Sequence, residues 1–241
     1  MRTAEAREIG EYIARRVSAG DFEEADMLLT PILSSKAAFS MLDILGCRIG
    51  KESPERVNIY LDRISSQRTM GGWVVIASAL RNQLSVDFHG AIQQCEKYTR
   101  LSDTWYGVDI FGERVPGPAM VADLETTLEI IRPWRDDDNR WIRRMVGVSV
   151  HYWAKATRGS KRIENDVESI LDFLVPMFTE RNYDAVKGIG WGLKTLARYY
   201  PDILTDWLIT QKTRPHTALM MRKAVTFLPA ELKERVLRKS I

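Results

Sequence analysis

The chain of 241 residues is 45% hydrophobic and 28% charged, which is the composition of a folded globular protein and lies outside the low-hydrophobicity, high-charge range of disorder. No apolar run reaches the roughly 18 residues that a membrane helix needs, and the opening MRTAEAREIG is charged where a secretory signal is oily, so the expected location is the cytosol, with nucleoid association in a prokaryote. Net charge is only +3, but from Leu208 onward eight lysines and arginines face two glutamates, a basic end suited to nucleic acid, to an acidic partner, or simply to solvent.

Taken in chain order, apolar residues recur at helical spacing in IGEYIARRV, ADMLLTPIL, VNIYLDRI and WVVIASAL, and again in VESILDFLVPMF and GWGLKTLARYY. No Asn-Gly or Asp-Gly hairpin and no strict alternation interrupts them, so the chain reads as all-α. Gly20-Asp21, Ser53-Pro54, VPGP at 115–118, Pro133, Gly159-Ser160, Pro201, Pro215 and Pro229 mark helix starts and stops. In DDD at 136–138, Asp138 reads as the cap of the helix that opens near NRWIRRMV rather than as a metal ligand. Helices of roughly 12 to 18 residues joined by short loops form antiparallel pairs, and a dozen or so in succession make a superhelical solenoid. The expected organisation is one such domain over residues 1–241, with an extended groove lined by the same helix of each pair.

Few residues offer chemistry. His89, His151 and His216 are scattered, with no HExxH and no defensible Ser-His-Asp order, and no Walker or GxGxxG loop appears. Cys47 and Cys95 form no CxxC and read as small reduced side chains, so neither a metal nor a disulfide framework is expected. Tryptophan is more informative. Most of the seven read as core, but Trp105 stands four residues before Asp109 in a stretch that reads as helix interior, which stacks the two on one face. Trp191 sits among Gly188, Gly190 and Gly192, and three glycines in five helical residues imply close approach by a packed helix or by a ligand.

TWYGVD at 104–109, WIRRMVGV at 141–148 and KGIGWGLKTLARYYPD at 187–202 resemble, in order and separation, three motifs of the AlkD-type alkylpurine DNA glycosylases, the DNA alkylation repair family built of HEAT-like repeats. LMMRKAVTF at 219–227 resembles a fourth, and the resemblance spans about residues 70–230; the first 70 agree only in helical character. It implies that Asp109 is the catalytic carboxylate, that Trp105 and Trp191 flank the deoxyribose of the damaged nucleotide, and that Arg144 holds the backbone nearby. Lys187, Lys194, Arg143 and Arg222 become phosphate contacts. The implied activity is hydrolysis of the N-glycosidic bond of cationic alkylpurines, of 3-methyladenine or 7-methylguanine type, in duplex DNA, by a monomer with no cofactor. No lysine stands at the aspartate's position, so no lyase step is expected.

The chain departs from that pattern in places. Lys194 stands where the family has arginine, Thr104 replaces a second tryptophan, and Gly107 is expected to loosen the turn between Trp105 and Asp109. RGSKR at 158–162 reads either as a phosphate contact or as a solvated turn. The competing functional reading is a HEAT-like module that binds DNA or a protein without catalysis.

Overall fold

The computed structural model describes residues 2–158, 160 and 163–238. Gly159, Lys161 and Arg162 of the RGSKR segment, and Lys239 of the basic end, therefore lie outside the described residues. The fold is all-α, with no strand among the described residues. Two compact units divide it, Met1–Val115 and Pro116–Ile241.

The first unit contains α1 (Thr3–Ala19), α2 (Phe22–Leu33), α3 (Phe39–Ile49), α4 (Pro54–Ser66), α5 (Met70–Gln83), α6 (Phe88–Ser102) and α7 (Trp105–Arg114). The chief neighbours of α3 are α1 and α5, and α5 in turn packs on α7, so the first helix of each pair stacks on the first helix of the next. The partners α2, α4 and α6 form the other layer, each folded back on its pair by a short connection. Between the layers lie Ile13, Leu29, Leu45, Tyr60, Leu61, Ile64 and Trp73, all essentially without exposure.

The second unit repeats the plan. Its helices are α8 (Pro116–Ala122), α9 (Leu124–Ile130), α10 (Arg140–Thr157), α11 (Glu164–Leu174), α12 (Tyr183–Tyr199), α13 (Pro201–Gln211), α14 (Ala218–Ala224) and α15 (Ala230–Leu237), with 3-10 turns at Arg132–Arg135 and Pro176–Thr179. Helices α8, α10, α12 and α14 stack in one layer, while α11 and α13 join α9 and α15 in the other. Layering of this kind is that of a helical-repeat solenoid, as the periodicity implied.

The punctuation mostly falls where cap chemistry puts it. Gly20 ends α1 at φ 86°, a left-handed conformation that glycine adopts without penalty, Pro54 and Pro201 open α4 and α13, and Pro229 precedes α15. One expected cap is wrong. Asn139, not Asp138, caps α10: its Oδ1 accepts from the Trp141 N–H at 2.8 Å, and Asp137 accepts from the Asn139 N–H at 2.8 Å. The side chain one residue nearer the helix has the reach to its first turn, and Asp138 is left exposed.

Candidate active site

In the first unit, α7 is an amphipathic helix whose inner face carries Gly107, Val108, Ile110 and Phe111, all buried. Phe111 stacks on Tyr98, with ring centroids 6.5 Å apart, and meets Trp73 at 6.0 Å. Arg114 closes the far end with two bonds to Asp43 of α3, at 2.7 and 3.2 Å, and Ser78 of α5 donates to the same carboxylate at 2.6 Å. One helix is thereby tied to two others in its layer. The outer face presents Trp105, 59% exposed, and half-buried Asp109, one turn apart.

Trp105 is not interior to a helix, as the spacing suggested; it is the first residue of α7. Its entry is set by Thr104, whose Oγ1 accepts from the Gly107 N–H at 3.3 Å, preceded by Asp103 in the left-handed region at φ 44°. Threonine at 104 thus has a structural use that an indole could not supply. Nor does Gly107 loosen the turn. A Cβ there would lie 2.6 Å from Ser102 Oγ and 2.7 Å from Ser102 Cβ, so the hydrogen atom is what lets the end of α6 fold against the start of α7.

In the second unit the organising contact is α10 against α12. Gly188 lies against Arg144, where an added Cβ would be 2.5 Å from the arginine carbonyl oxygen, and Gly192 lies against the Gly147 carbonyl, where it would be 2.7 Å away. Gly190 faces the stem of Lys223 on α14 instead. The three glycines therefore serve two neighbours, and Gly147, which the sequence reading did not single out, completes the α10 side. This approach sets Trp191 flat against His151, with ring centroids 4.0 Å apart and planes 24° apart. His151 Nδ1 lies 2.7 Å from Thr195 Oγ1, which donates to the Trp191 carbonyl at 2.9 Å, so both rings are held from one helical turn.

Cations gather on the same layer. Arg144 is 6% exposed and donates to the Asp184 carbonyl at 3.0 Å. Lys187 lies over the Tyr183 ring at 4.4 Å and Lys194 over Phe227 at 4.4 Å. Lys223 is half-buried; burial first, then the charges of Lys194, Lys187, Arg144 and Arg222, hold its ammonium below the usual lysine range. Lys223 stands beside Arg222 in LMMRKAVTF, and a sequence motif does not show which of two adjacent cations turns toward its like neighbours. Among the described residues, Lys187, Lys194, Arg222 and Lys223 have no carboxylate partner.

Arg143 is differently placed. Its Nε donates to Glu180 at 2.5 Å and its Nη1 to the Asp137 carbonyl, with 17% and 12% of the two charged side chains exposed. Its guanidinium joins α10 to the segment before α12, and the structure gives its charge a carboxylate partner where the motif had suggested a phosphate.

Tryptophan burial sorts the rest. Trp73, Trp134, Trp141, Trp153 and Trp207 are at most 9% exposed, whereas Trp105 and Trp191 reach the surface. The profile of the DNA alkylation repair enzyme family matches residues 74–228, which include α7, α10, α12 and α14. The chain belongs to that family. No curated protein and no solved structure matches it significantly. The match begins within α5, so α1 to α4 precede the shared region, and the motifs that resemble the family lie chiefly on α7, α10, α12 and α14, in the first-helix layer of their unit. As a DNA alkylation repair enzyme, the chain presents on those helices an acid, two accessible indoles and a set of uncompensated cations. Among the described residues, no helix is long and apolar enough to cross a membrane.

Proposed function

We propose that the protein is a monofunctional DNA glycosylase that excises cationic alkylated purines, of 3-methyladenine or 7-methylguanine type, from duplex DNA. The observation that carries this reading is the sorting of the tryptophans. Five of seven are core, Trp141 of the matched motifs among them, and the two that remain accessible are the two that the resemblance assigns to the sugar, one of them a helical turn from Asp109.

A purine alkylated at N3 or N7 already carries positive charge and leaves without protonation. The demand falls on the sugar, which becomes oxocarbenium-like as the glycosidic bond stretches, as in glycoside hydrolysis. A carboxylate against C1′ interacts most strongly when that charge develops, and it also orients the attacking water, so Asp109 supplies differential stabilisation of the transition state. An electron-rich indole face attracts such a cation by about 0.5 to 2 kcal/mol and displaces water that would screen it, which is the part proposed for Trp105 and for Trp191. Arg144, Lys187, Lys194, Lys223 and Arg222 neutralise backbone phosphates, which fixes the strand without reading its sequence. Sequence-independent grip suits an enzyme that meets damage anywhere. Arg143, bound to Glu180, braces α10 and takes no part in this grip.

The test is release of free methylated base from methylated duplex DNA with formation of abasic sites. Wild type is expected to release base, and single Trp105→Ala and Trp191→Ala variants to slow release more than they weaken binding. Salt-sensitive binding of duplex with no release from any cationic lesion would establish the non-catalytic module instead.

A further inference from the structure

On the α10–α12 face of the second unit, a cleft of about 330 Å³ opens beside Trp191. Its eight lining residues are His151, Lys155, Trp191, Lys194, Thr195, Arg198, Tyr199 and Phe227. Three are basic and none is an acid. Lys155 lies one turn beyond His151 on α10, and Arg198 one turn beyond Lys194 on α12, so the charge comes from both helices and is not a single stripe facing solvent.

These cations share with Lys187, Arg222 and Lys223 a charge that no carboxylate neutralises, and differ in this from four arginines of the unit. Arg140, Arg143, Arg235 and Arg238 all have carboxylate partners: Asp184, Glu180, Asp206 and Glu234. Among the described residues, Lys155, Lys194 and Arg198 have none. Lys194 and Arg198 instead converge on the ring of Phe227, which is 38% exposed, at 4.4 and 3.9 Å. An aromatic ring orients a cation without neutralising it, and so leaves the charge available to an anion. The opposite wall is rigid, because Trp191 is stacked on His151 and His151 is tied to Thr195. A fixed apolar wall, three unneutralised cations and no competing acid are the features of a site for one compact anion, and Arg198 adds the planar fork that matches phosphate oxygens.

We infer that this cleft seats one backbone phosphate of the DNA strand on Lys155, Lys194 and Arg198, which registers the strand against Trp191. The inference rests on the DNA-binding part of the proposed function and is independent of catalysis. Lys155 and Arg198 belong to none of the residues assigned above, so they carry the test. Dissociation constants for an undamaged duplex are measured from 50 to 200 mM salt for wild type, for Lys155→Gln/Arg198→Gln, and for Lys36→Gln/Lys51→Gln, a control pair of exposed lysines in the first unit.

Neutralising one phosphate contributes about 0.9 to the slope of log affinity against log salt, so over this fourfold range wild-type affinity should fall about 3.5-fold more than that of the cleft variant. The control pair should keep the wild-type slope. Equal slopes for all three proteins would overturn the inference, whether or not the enzyme releases base. A second arm adds inorganic phosphate or a nucleoside monophosphate as competitor. If either displaces duplex from wild type at micromolar concentration and the cleft variant abolishes that competition, the site takes a free phosphate and the strand assignment falls; failure to compete below millimolar concentration supports the strand.

Discussion

The three glycines around Trp191 should respond unequally to the same substitution. In Gly188→Ala the new methyl lies 2.5 Å from the Arg144 carbonyl oxygen and 3.0 Å from Arg144 Cα, where ordinary contact begins at 3.4 Å, so α10 and α12 must separate by about 0.9 Å. Both atoms are backbone, and no rotamer change relieves them. Overpacking of this kind costs about 3 kcal/mol, against which alanine returns about 1 kcal/mol of helix propensity, leaving a net loss of about 2 kcal/mol. Gly190→Ala gains the same propensity, and its methyl meets the Lys223 side chain, with Cδ at 2.7 Å and Cβ at 2.9 Å. The stem can swing and the seven-residue α14 can yield a few tenths of an ångström, so its net change should lie within about 1 kcal/mol of zero. Urea unfolding followed by circular dichroism resolves the two, since 2 kcal/mol moves the midpoint by about 1 M at the m-values usual for small proteins. A Gly188→Ala protein as stable as wild type, or a Gly190→Ala protein destabilised as much as Gly188→Ala, would refute the assignment of these glycines to two different neighbours.

Two further outcomes follow from charge. Although burial works the other way, bonds from Arg143 and from the N–H groups of Asn182 and Arg181 hold the Glu180 carboxyl below its ordinary 4.5, so its contribution is complete above that pH and disappears as pH falls through the lower folded-state value. Glu180→Gln should cost about 2 kcal/mol at pH 7 in urea unfolding, and the deficit should shrink toward the acid limit of the folded state; an equal deficit at every pH counts against the pair. Lys223 has the opposite sign: its lowered folded-state pKa means that the charged form is penalised by folding at pH 7, and the penalty is relieved as pH rises from that value to the ordinary 10.5. Lys223→Met keeps the stem against Gly190 and should therefore bind duplex DNA more weakly while melting no lower than wild type at pH 7, an advantage that fades near pH 10.5. A variant that melts lower at pH 7 would mean that the cationic cluster is not strained.

The all-α class and the repeat plan were legible because apolar residues keep a helical period almost everywhere and proline and glycine fall at the ends. Helix boundaries were less so: Trp105 reads as interior because the apolar pattern continues behind it, and only the left-handed Asp103 and the Thr104 cap reveal a new start. In the same way DDDN offers four capping side chains in a row, and reach to the first-turn N–H decides for Asn139. Trp105, Asp109 and Trp191 could be picked from motifs, yet their accessibility could not, since sequence does not separate a surface indole from the five in the core. Arg143 and Arg144 are adjacent in one motif and point to different partners, Glu180 and the Asp184 carbonyl. Lys155 and Arg198 were invisible because the cleft needs two helices and Phe227 to exist.

The central claim is that Asp109 stabilises a sugar cation as the alkylated base departs. Its most direct measurement is the single-turnover rate of 7-methylguanine release from duplex DNA with saturating enzyme, for wild type and Asp109→Asn, alongside the duplex dissociation constant of each. Loss of a preorganised transition-state charge should lower the rate by about 100-fold or more and leave affinity within about twofold. Release by the asparagine variant at the wild-type rate would contradict the account.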